Sequence, residues 1–246
     1  MQIPVVFINL DSDAVRRTRM EAELERVGIQ GERLEAVRWT QLPVQEQARL
    51  YSPELNARQY HSKLVNGEMG CYASHLKAWQ MLLDSEHQHM AILEDDVCLT
   101  LSFEPALQAL LELDQPWDMV KLIGRQREKL RSRRALIDGH DVVEYARVPS
   151  YTAGYLVSRA GAQKLLASRQ PFGRPIDVDL RFWWENQLRI LGVFPGVIRM
   201  DETSDQSTIA GRTVTKPLVQ RWRNYKMKLD LTLQNAYYRA RQRPLF

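Results

Sequence analysis

Short apolar runs alternate with helically spaced apolar positions along most of the chain. Val5-Val6-Phe7-Ile8-Asn9-Leu10 is almost wholly apolar and then turns polar, which predicts a buried parallel strand. Residues 13 to 27 follow with Val15, Met20, Leu24 and Val27 near helical spacing and Gly28 as a stop, the pattern of an amphipathic helix. Arg33 to Val37 predicts a second strand. Further on, Tyr72, Leu76, Trp79 and Leu83 fall on one helical stripe. Met90-Ala91-Ile92-Leu93 is a strand that runs directly into Glu94-Asp95-Asp96. Residues 103 to 113 predict a helix and Met119 to Ile123 a strand, and Asp138-Gly139 marks a turn between two β-like runs. Thr152 to Ser158 predicts a strand feeding a helix over Arg159 to Ser168, and Pro175-Ile176-Asp177 opens a helix expected to run to about Leu191. This alternation predicts one α/β sheet domain over residues 1 to 211 and a helical extension over 212 to 246.

Composition narrows the class without naming it. The chain has 246 residues, 44% hydrophobic and 26% charged, which excludes global disorder, collagen and coiled coil. The opening apolar run ends at Asn9 and no basic segment precedes it, so neither a signal peptide nor a membrane span is expected, and the expected location is cytoplasmic. Two cysteines, Cys71 and Cys98, with no CxxC motif, read as structural thiols rather than a zinc set. No dinucleotide fingerprint and no P-loop occurs.

The net charge of +4 conceals a division, because Arg212 to Phe246 carries nine Lys+Arg against Asp230, or +8, leaving −4 on the rest. With Trp222, Tyr225, Tyr237 and Tyr238 interspersed, this segment suits an anionic membrane surface, a nucleic acid, or a solvated helix pair. A second basic run, Arg125 to Arg134, reads as a loop or short helix near an anionic substrate.

Three successive carboxylates at a strand end repel one another unless a cation gathers them. Ligands of open α/β sheets bind beyond the carboxyl ends of the strands, and alternation along an extended segment puts Glu94 and Asp96 on one side and Asp95 on the other. Hard oxygen donors of this kind suit Mn²⁺ or Mg²⁺. Ser74 and His75 lie one turn into the helix that follows Gly70 and are either a donor-binding pair or a half-buried helix pair. Asp177 reads as a helix N-cap that can also face a cleft.

Phe7-Ile8-Asn9-Leu10-Asp11 with Arg16-Arg17, Gly67-Glu68-Met69-Gly70-Cys71-Tyr72-Ala73-Ser74-His75, Ile92-Leu93-Glu94-Asp95-Asp96-Val97, Gly154-Tyr155-Leu156-Val157-Ser158 and Pro175-Ile176-Asp177 occur in an order and spacing that resembles glycosyltransferase family 25. That family includes bacterial lipooligosaccharide β-galactosyltransferases and procollagen galactosyltransferases. The resemblance, over residues 5 to about 210, implies a GT-A-like fold with a mixed central sheet, UDP-galactose as donor, a Mn²⁺-type ion and inversion at the anomeric carbon. It implies Asp96 as direct metal ligand with Glu94, and Glu94 or Asp95 as a ribose or supporting contact. Asn9, Arg16 and Arg17 fall where the family's nucleotide pocket begins, Ser74 and His75 in its donor element, and Asp177 at its base position. Asp179, Glu185, Asp201 and Glu202 are alternative bases, and Asp201 an alternative metal ligand, since no histidine follows His140.

The expected acceptor is a lipooligosaccharide or lipopolysaccharide core sugar, with the enzyme peripheral on the inner face of the inner membrane through its basic extension. A metal-dependent phosphohydrolase or nuclease would use the same carboxylates but needs a second acidic cluster, and none stands at a clear strand end. A nucleic-acid-binding module would use the basic extension and leaves the acidic strand end unexplained.

Overall fold

In the computed structural model, residues 3–124, 128–201 and 218–246 are described. Arg125, Arg127, Glu202, Arg212, Lys216 and the expected boundary at 211 and 212 lie outside them. The strands are β1 (Val5–Asn9), β2 (Gly31–Glu35), β3 (His89–Glu94), β4 (Val97–Leu99), β5 (Met119–Lys121), β6 (Leu130–Ile137), β7 (His140–Tyr145), β8 (Gly154–Ser158), β9 (Ile190–Phe194) and β10 (Ile198–Met200). The helices are α1 (Ala14–Arg26), α2 (Val44–Leu50), α3 (Pro53–Gln59), α4 (Asn66–Asp84), α5 (Phe103–Leu111), α6 (Arg159–Ser168), α7 (Ile176–Asp179) and α8 (Leu218–Ala240).

Eight strands form one mixed sheet in the order β2-β1-β3-β8-β5-β9-β7-β6, and β4 pairs with β10 in a small second sheet. β1 runs parallel to β2 and β3, whereas β8 is antiparallel to both of its neighbours, β3 and β5. This is the mixed α/β class expected from the sequence. The continuous apolar runs are explained by burial on both faces. Val6, Ile8, Met90, Ile92, Tyr155 and Val157 pack against α4 and α6 on one side. Val5, Phe7, Ala91, Leu93 and Leu156 meet Met20, Leu24, Phe103 and Leu107 on the other. The in-register pair Ile8 and Glu94 brings the carboxyl ends of β1 and β3 together, and this places the acidic segment beside Asn9.

Three expectations are corrected. The stretch after Pro175 is not one helix to Leu191: α7 passes into a 3₁₀ segment, Leu180–Glu185, and residues 190 to 194 are β9 in the middle of the sheet. Gln187, at φ 54°, turns the chain between them. The described part of the second basic run is not a loop or helix but edge strand β6, hairpinned to β7 through Gly139 at φ 73°. Among its described residues the C-terminal extension is one helix of 23 residues rather than a pair.

That helix is docked on the sheet domain. Asn235 accepts from Trp183 Nε1 (3.0 Å) and donates to the Ala146 carbonyl (2.8 Å). Arg239 meets Glu144 at 2.9 Å, and Arg223 donates to the Tyr60 carbonyl at 2.6 Å. Tyr238, expected at a headgroup surface, stacks on Trp184 instead. No helix among the described residues is long and apolar enough to cross a membrane.

Candidate active site

The three carboxylates are held in three different ways. Asp95 turns toward α1, where its Oδ2 accepts from Asn9 Nδ2 (2.7 Å), its Oδ1 meets Arg16 Nη1 (3.1 Å) and its carbonyl accepts from Arg19 (2.8 Å). Asn9 also donates to the Asp13 carbonyl and accepts from Arg33 Nε. Asn9 is therefore fully used in fixing Asp95, and Arg16 bridges Asp95 and Asp96, the latter at 3.8 Å. Arg17 departs from expectation: it pairs with Glu21 on the exposed face of α1 and takes no part in the site.

Glu94 faces the other way. Its Oε1 accepts from Thr152 Oγ1 at 2.9 Å and lies 3.5 Å from His75 Nε2. Burial pushes its carboxyl up, but His75, Thr152 and Arg16 outweigh burial and hold it below its ordinary value. Asp96 has the opposite balance. Burial and then the Glu94 charge raise it from 3.8 to about 6 against the pull of Arg16, and its Oδ1 is buried with no hydrogen-bond partner. A buried, unpaired carboxylate oxygen beside a second carboxylate is what a divalent cation satisfies, so Glu94 and Asp96 fit Mn²⁺ or Mg²⁺. Asp201, the alternative ligand, is paired with Arg19 and donates its backbone N–H to the Asp96 carbonyl.

Ser74 and His75 lie on α4, one turn after Gly70. Ser74 is buried, donates to the Gly70 carbonyl (2.7 Å) and accepts from Val37 N–H (2.7 Å). These bonds clamp the segment from Ala36 to Trp39, and Ser74 lines the first of the clefts described below. Gly70 permits the clamp, because a Cβ there would lie 2.6 Å from the Val37 carbonyl oxygen. His75 is fully buried. Its Nδ1 sits 2.8 Å from Tyr155 OH, which also accepts from Trp79 Nε1 (2.9 Å). Cys71, one turn before His75, is half-buried, and burial followed by the charges of Glu94, Asp177 and Asp96 pushes its thiol well up.

Two clefts meet at this wall. One, of about 280 Å³, is lined by Arg16, Val37, Asn66, His75, Asp95 and Asp96; the other, of about 510 Å³, by Tyr60, Tyr151, Thr152, Asp177 and Val178; Cys71 and Glu94 line both.

Asp177 is not the N-cap expected from the sequence, since Pro175 occupies that position. It lies in the first turn of α7, and burial raises its carboxyl above the ordinary value although Val178 N–H and Lys121 oppose this. Lys121, in β5, is buried and brought down to about 8 by that burial, with Asp177 pulling the other way. It donates to the carbonyls of Pro149 (2.8 Å) and Tyr151 (2.5 Å), holding Tyr151 at φ 93°, a conformation that costs a non-glycine residue on the order of 1–3 kcal/mol. Asp179 does not belong to the cleft. It is buried, paired with Arg169 and Arg174 at 3.0 Å each and hydrogen-bonded by Tyr72 OH at 2.5 Å. Glu185 is likewise held by Arg169 and Arg174. These two acids hold α7 in place and are not available as bases.

Arg19, Lys121, Thr152 and Cys71 join the site without having been singled out for it from the sequence. For Cys71 a signal existed, since Cys71 and His75 are four residues apart on a predicted helix and share a face. For the others, only long-range pairing brings them in.

A family model described as "Glycosyltransferase family 25 (LPS biosynthesis protein)" matches residues 2–180. The chain is 33% identical over 184 residues to a "Glycosyltransferase 25 family member" of Drosophila pseudoobscura pseudoobscura, covering 71% of this chain and 28% of that protein. It is 32% identical over 183 residues to human "Procollagen galactosyltransferase 2", covering 71% of this chain and 29% of that protein. The chain thus spans under a third of the length of these curated relatives. Among solved structures, a glycosyltransferase involved in the glycosylation of the major capsid of PBCV-1 aligns over 93% of this chain and 100% of its own, at 8% identity and a TM-score of 0.39.

Proposed function

The chain belongs to glycosyltransferase family 25, and from that membership we propose that it moves galactose from UDP-galactose to a lipooligosaccharide or lipopolysaccharide core sugar with inversion. Membership in a transferase family sets aside the hydrolase and nucleic-acid readings. The names of the procollagen galactosyltransferases support the sugar, and the family's description as an LPS biosynthesis protein supports the acceptor class. The observation that carries the reading is the pair of clefts sharing Glu94 and Cys71, because transfer between two substrates needs two subsites that meet at the reacting carbon.

The donor diphosphate belongs in the cleft of Arg16 and Asp96, with a Mn²⁺ or Mg²⁺ ion held by Glu94 and Asp96. That ion supplies Lewis-acid stabilisation of the leaving diphosphate. Arg16 bridges Asp95 and Asp96 and contributes positive charge on the same side. The acceptor occupies the cleft of Tyr151, Thr152 and Asp177, where Asp177 takes the proton of the attacking hydroxyl. A carboxyl raised toward neutrality is a stronger proton acceptor than an exposed aspartate. Lys121 keeps the Tyr151 backbone in place beside it.

The outer face of α8 supports a peripheral membrane location on the cytoplasmic side of the inner membrane. Trp222 (64% exposed), Tyr225, Leu229, Leu233 (60%) and Tyr237 follow one another at three- and four-residue spacing, opposite the buried Leu231. Arg221, Lys226 and Lys228 flank them. This is the make-up of an interfacial helix on anionic lipid. UDP-galactose turnover, measured with and without Mn²⁺ and with other UDP-sugars as competitors, tests the transfer reading. Metal-independent turnover, or none with any UDP-sugar, overturns it.

A further inference from the structure

His75 presents the sharpest unexplained feature. Its ring is fully buried, yet Nε2 makes no hydrogen bond, and the nearest acidic oxygen is Glu94 Oε1 at 3.5 Å. Leaving a buried ring nitrogen unpaired costs on the order of 1–3 kcal/mol. On its other side the ring is fixed, because Nδ1 lies 2.8 Å from a Tyr155 hydroxyl that Trp79 already orients. A hydroxyl oxygen accepts twice, so Tyr155 can take both the Trp79 and the His75 N–H. Nε2 faces Cys71 and Glu94, and in the tautomer that carries its proton on Nδ1 the Nε2 lone pair becomes available to a metal ion. One ligand atom from each of Cys71, His75 and Glu94 lies within 4.8 Å of the others.

We propose that Cys71 Sγ, His75 Nε2 and a Glu94 carboxylate oxygen form a three-ligand site for a zinc-class divalent ion, its fourth position open to the donor cleft. Thiolate, imidazole and carboxylate together make a zinc set, softer than the oxygen pair of Glu94 and Asp96. Ligand atoms around a tetrahedral zinc lie about 3.5 Å apart, so closing the triad takes movements of about an ångström, chiefly of the half-buried Cys71 and Glu94 side chains. Cys71 and His75 project from successive turns of α4, and Glu94 arrives from the end of β3. The N–H of His75 on Tyr155 is the supporting contact that a metal-bound histidine normally makes. On binding, the Cys71 thiol proton passes to solvent, sulfur donates an electron pair to the ion, and no oxidation state changes. Zinc on this triad draws Glu94 away from the oxygen pair, so zinc and manganese compete.

The site does not depend on the transfer reading. The full chain, free of metal, is titrated with Co²⁺ and then with Zn²⁺. The expected result is a thiolate-to-cobalt charge-transfer absorption that zinc abolishes. Cys98→Ser keeps it, and Cys71→Ser loses it with zinc affinity down by more than the roughly 10- to 100-fold that losing a supporting contact costs. In the unmodified protein zinc slows alkylation of Cys71 by about tenfold or more and leaves Cys98 unchanged, a readout that needs no variant to fold. Cobalt binding without the thiolate band, or a band that survives Cys71→Ser, overturns the site. Manganese-dependent donor turnover without the band removes this site and leaves transfer standing; the band without donor turnover does the reverse.

Discussion

Replacing Asp96 with asparagine separates two roles of one carboxylate. In the metal-free protein Asp96 is raised from 3.8 to about 6 by burial and by Glu94, so its folded value lies above its unfolded one. The native state then binds more protons between those values, and ionisation destabilises it. The penalty is absent below about pH 4 and complete above about pH 7. Each pH unit corresponds to about 1.4 kcal/mol, which gives an upper bound of about 3 kcal/mol. Screening by residual solvent reduces this to about 2 kcal/mol. For a chain of this size that corresponds to roughly 4–8 °C. Asp96→Asn is therefore expected to raise the Tm of metal-free protein at pH 7 and to leave it nearly unchanged at pH 4. Manganese reverses the order, because a ligand at 100 times its Kd adds about 2.7 kcal/mol to the native state that binds it, and the variant no longer does. Thermal unfolding at both pH values, with chelator and with Mn²⁺, reads all of this. An asparagine variant that is less stable at pH 7 without metal, or that manganese stabilises as much as the parent, refutes the assignment of Asp96.

Asp177→Asn removes the proton acceptor while keeping the shape of α7, and turnover is expected to fall by about 10²-fold or more with UDP affinity unchanged in a calorimetric titration; near-normal turnover moves the base elsewhere. Ser74→Ala leaves Val37 N–H unpaired and is expected to cost about 1–3 kcal/mol in urea unfolding and to weaken UDP binding through the loosened Ala36 to Trp39 wall; loss of neither would release Ser74 from its clamp role. On α8, Trp222→Glu with Leu233→Glu is expected to abolish co-sedimentation with anionic vesicles at low salt and to leave transfer to a short soluble acceptor unchanged. Binding in the parent that ignores 1 M salt, where the Debye length is about 3 Å, contradicts an electrostatic contribution. Truncating the helix is a poorer test, since it uncovers Trp183 and removes Arg239 from Glu144.

Elements whose signal is local were legible. β1 and β3 are continuous apolar runs ended by polar residues, and α6 over Arg159 to Ser168 agrees with its predicted bounds. The reading failed where apolar residues continue through a change of direction. Phe182, Trp183, Leu188, Ile190 and Leu191 keep the segment apolar, but Gln187 at positive φ turns the chain and β9 begins. The site divided in the same way. The acidic strand end was legible because strand direction is a local property; the expected alternation did not hold beyond Glu94, since Asp95 and Asp96 form a turn and both face Arg16. The separation of Asp177 from Asp179 was not, because two acids two residues apart are distinguished only by Arg169, Arg174 and Tyr72, which arrive from elsewhere in the chain.

The unequal pairing of Glu94, Asp95 and Asp96 explains why an acidic triplet can work at a strand end without destroying it. Three bare carboxylates there would be self-repelling. Asp95 is neutralised inside the protein by Arg16 and oriented by Asn9, both from the β1 side, and it serves as the anchor. Glu94 is drawn the other way by Thr152 and His75, so its charge lies in the wall between the clefts. Of the three, only Asp96 keeps a buried oxygen with no partner, and its carboxyl is raised where that of Glu94 is lowered. Charge pairing thus concentrates the unmet demand for a cation on Asp96, while Glu94, which lines both clefts, is held below its ordinary value. Under the transfer proposed above, that asymmetry puts the demand for a cation where a leaving diphosphate would lie and keeps Glu94 ionised between the two clefts.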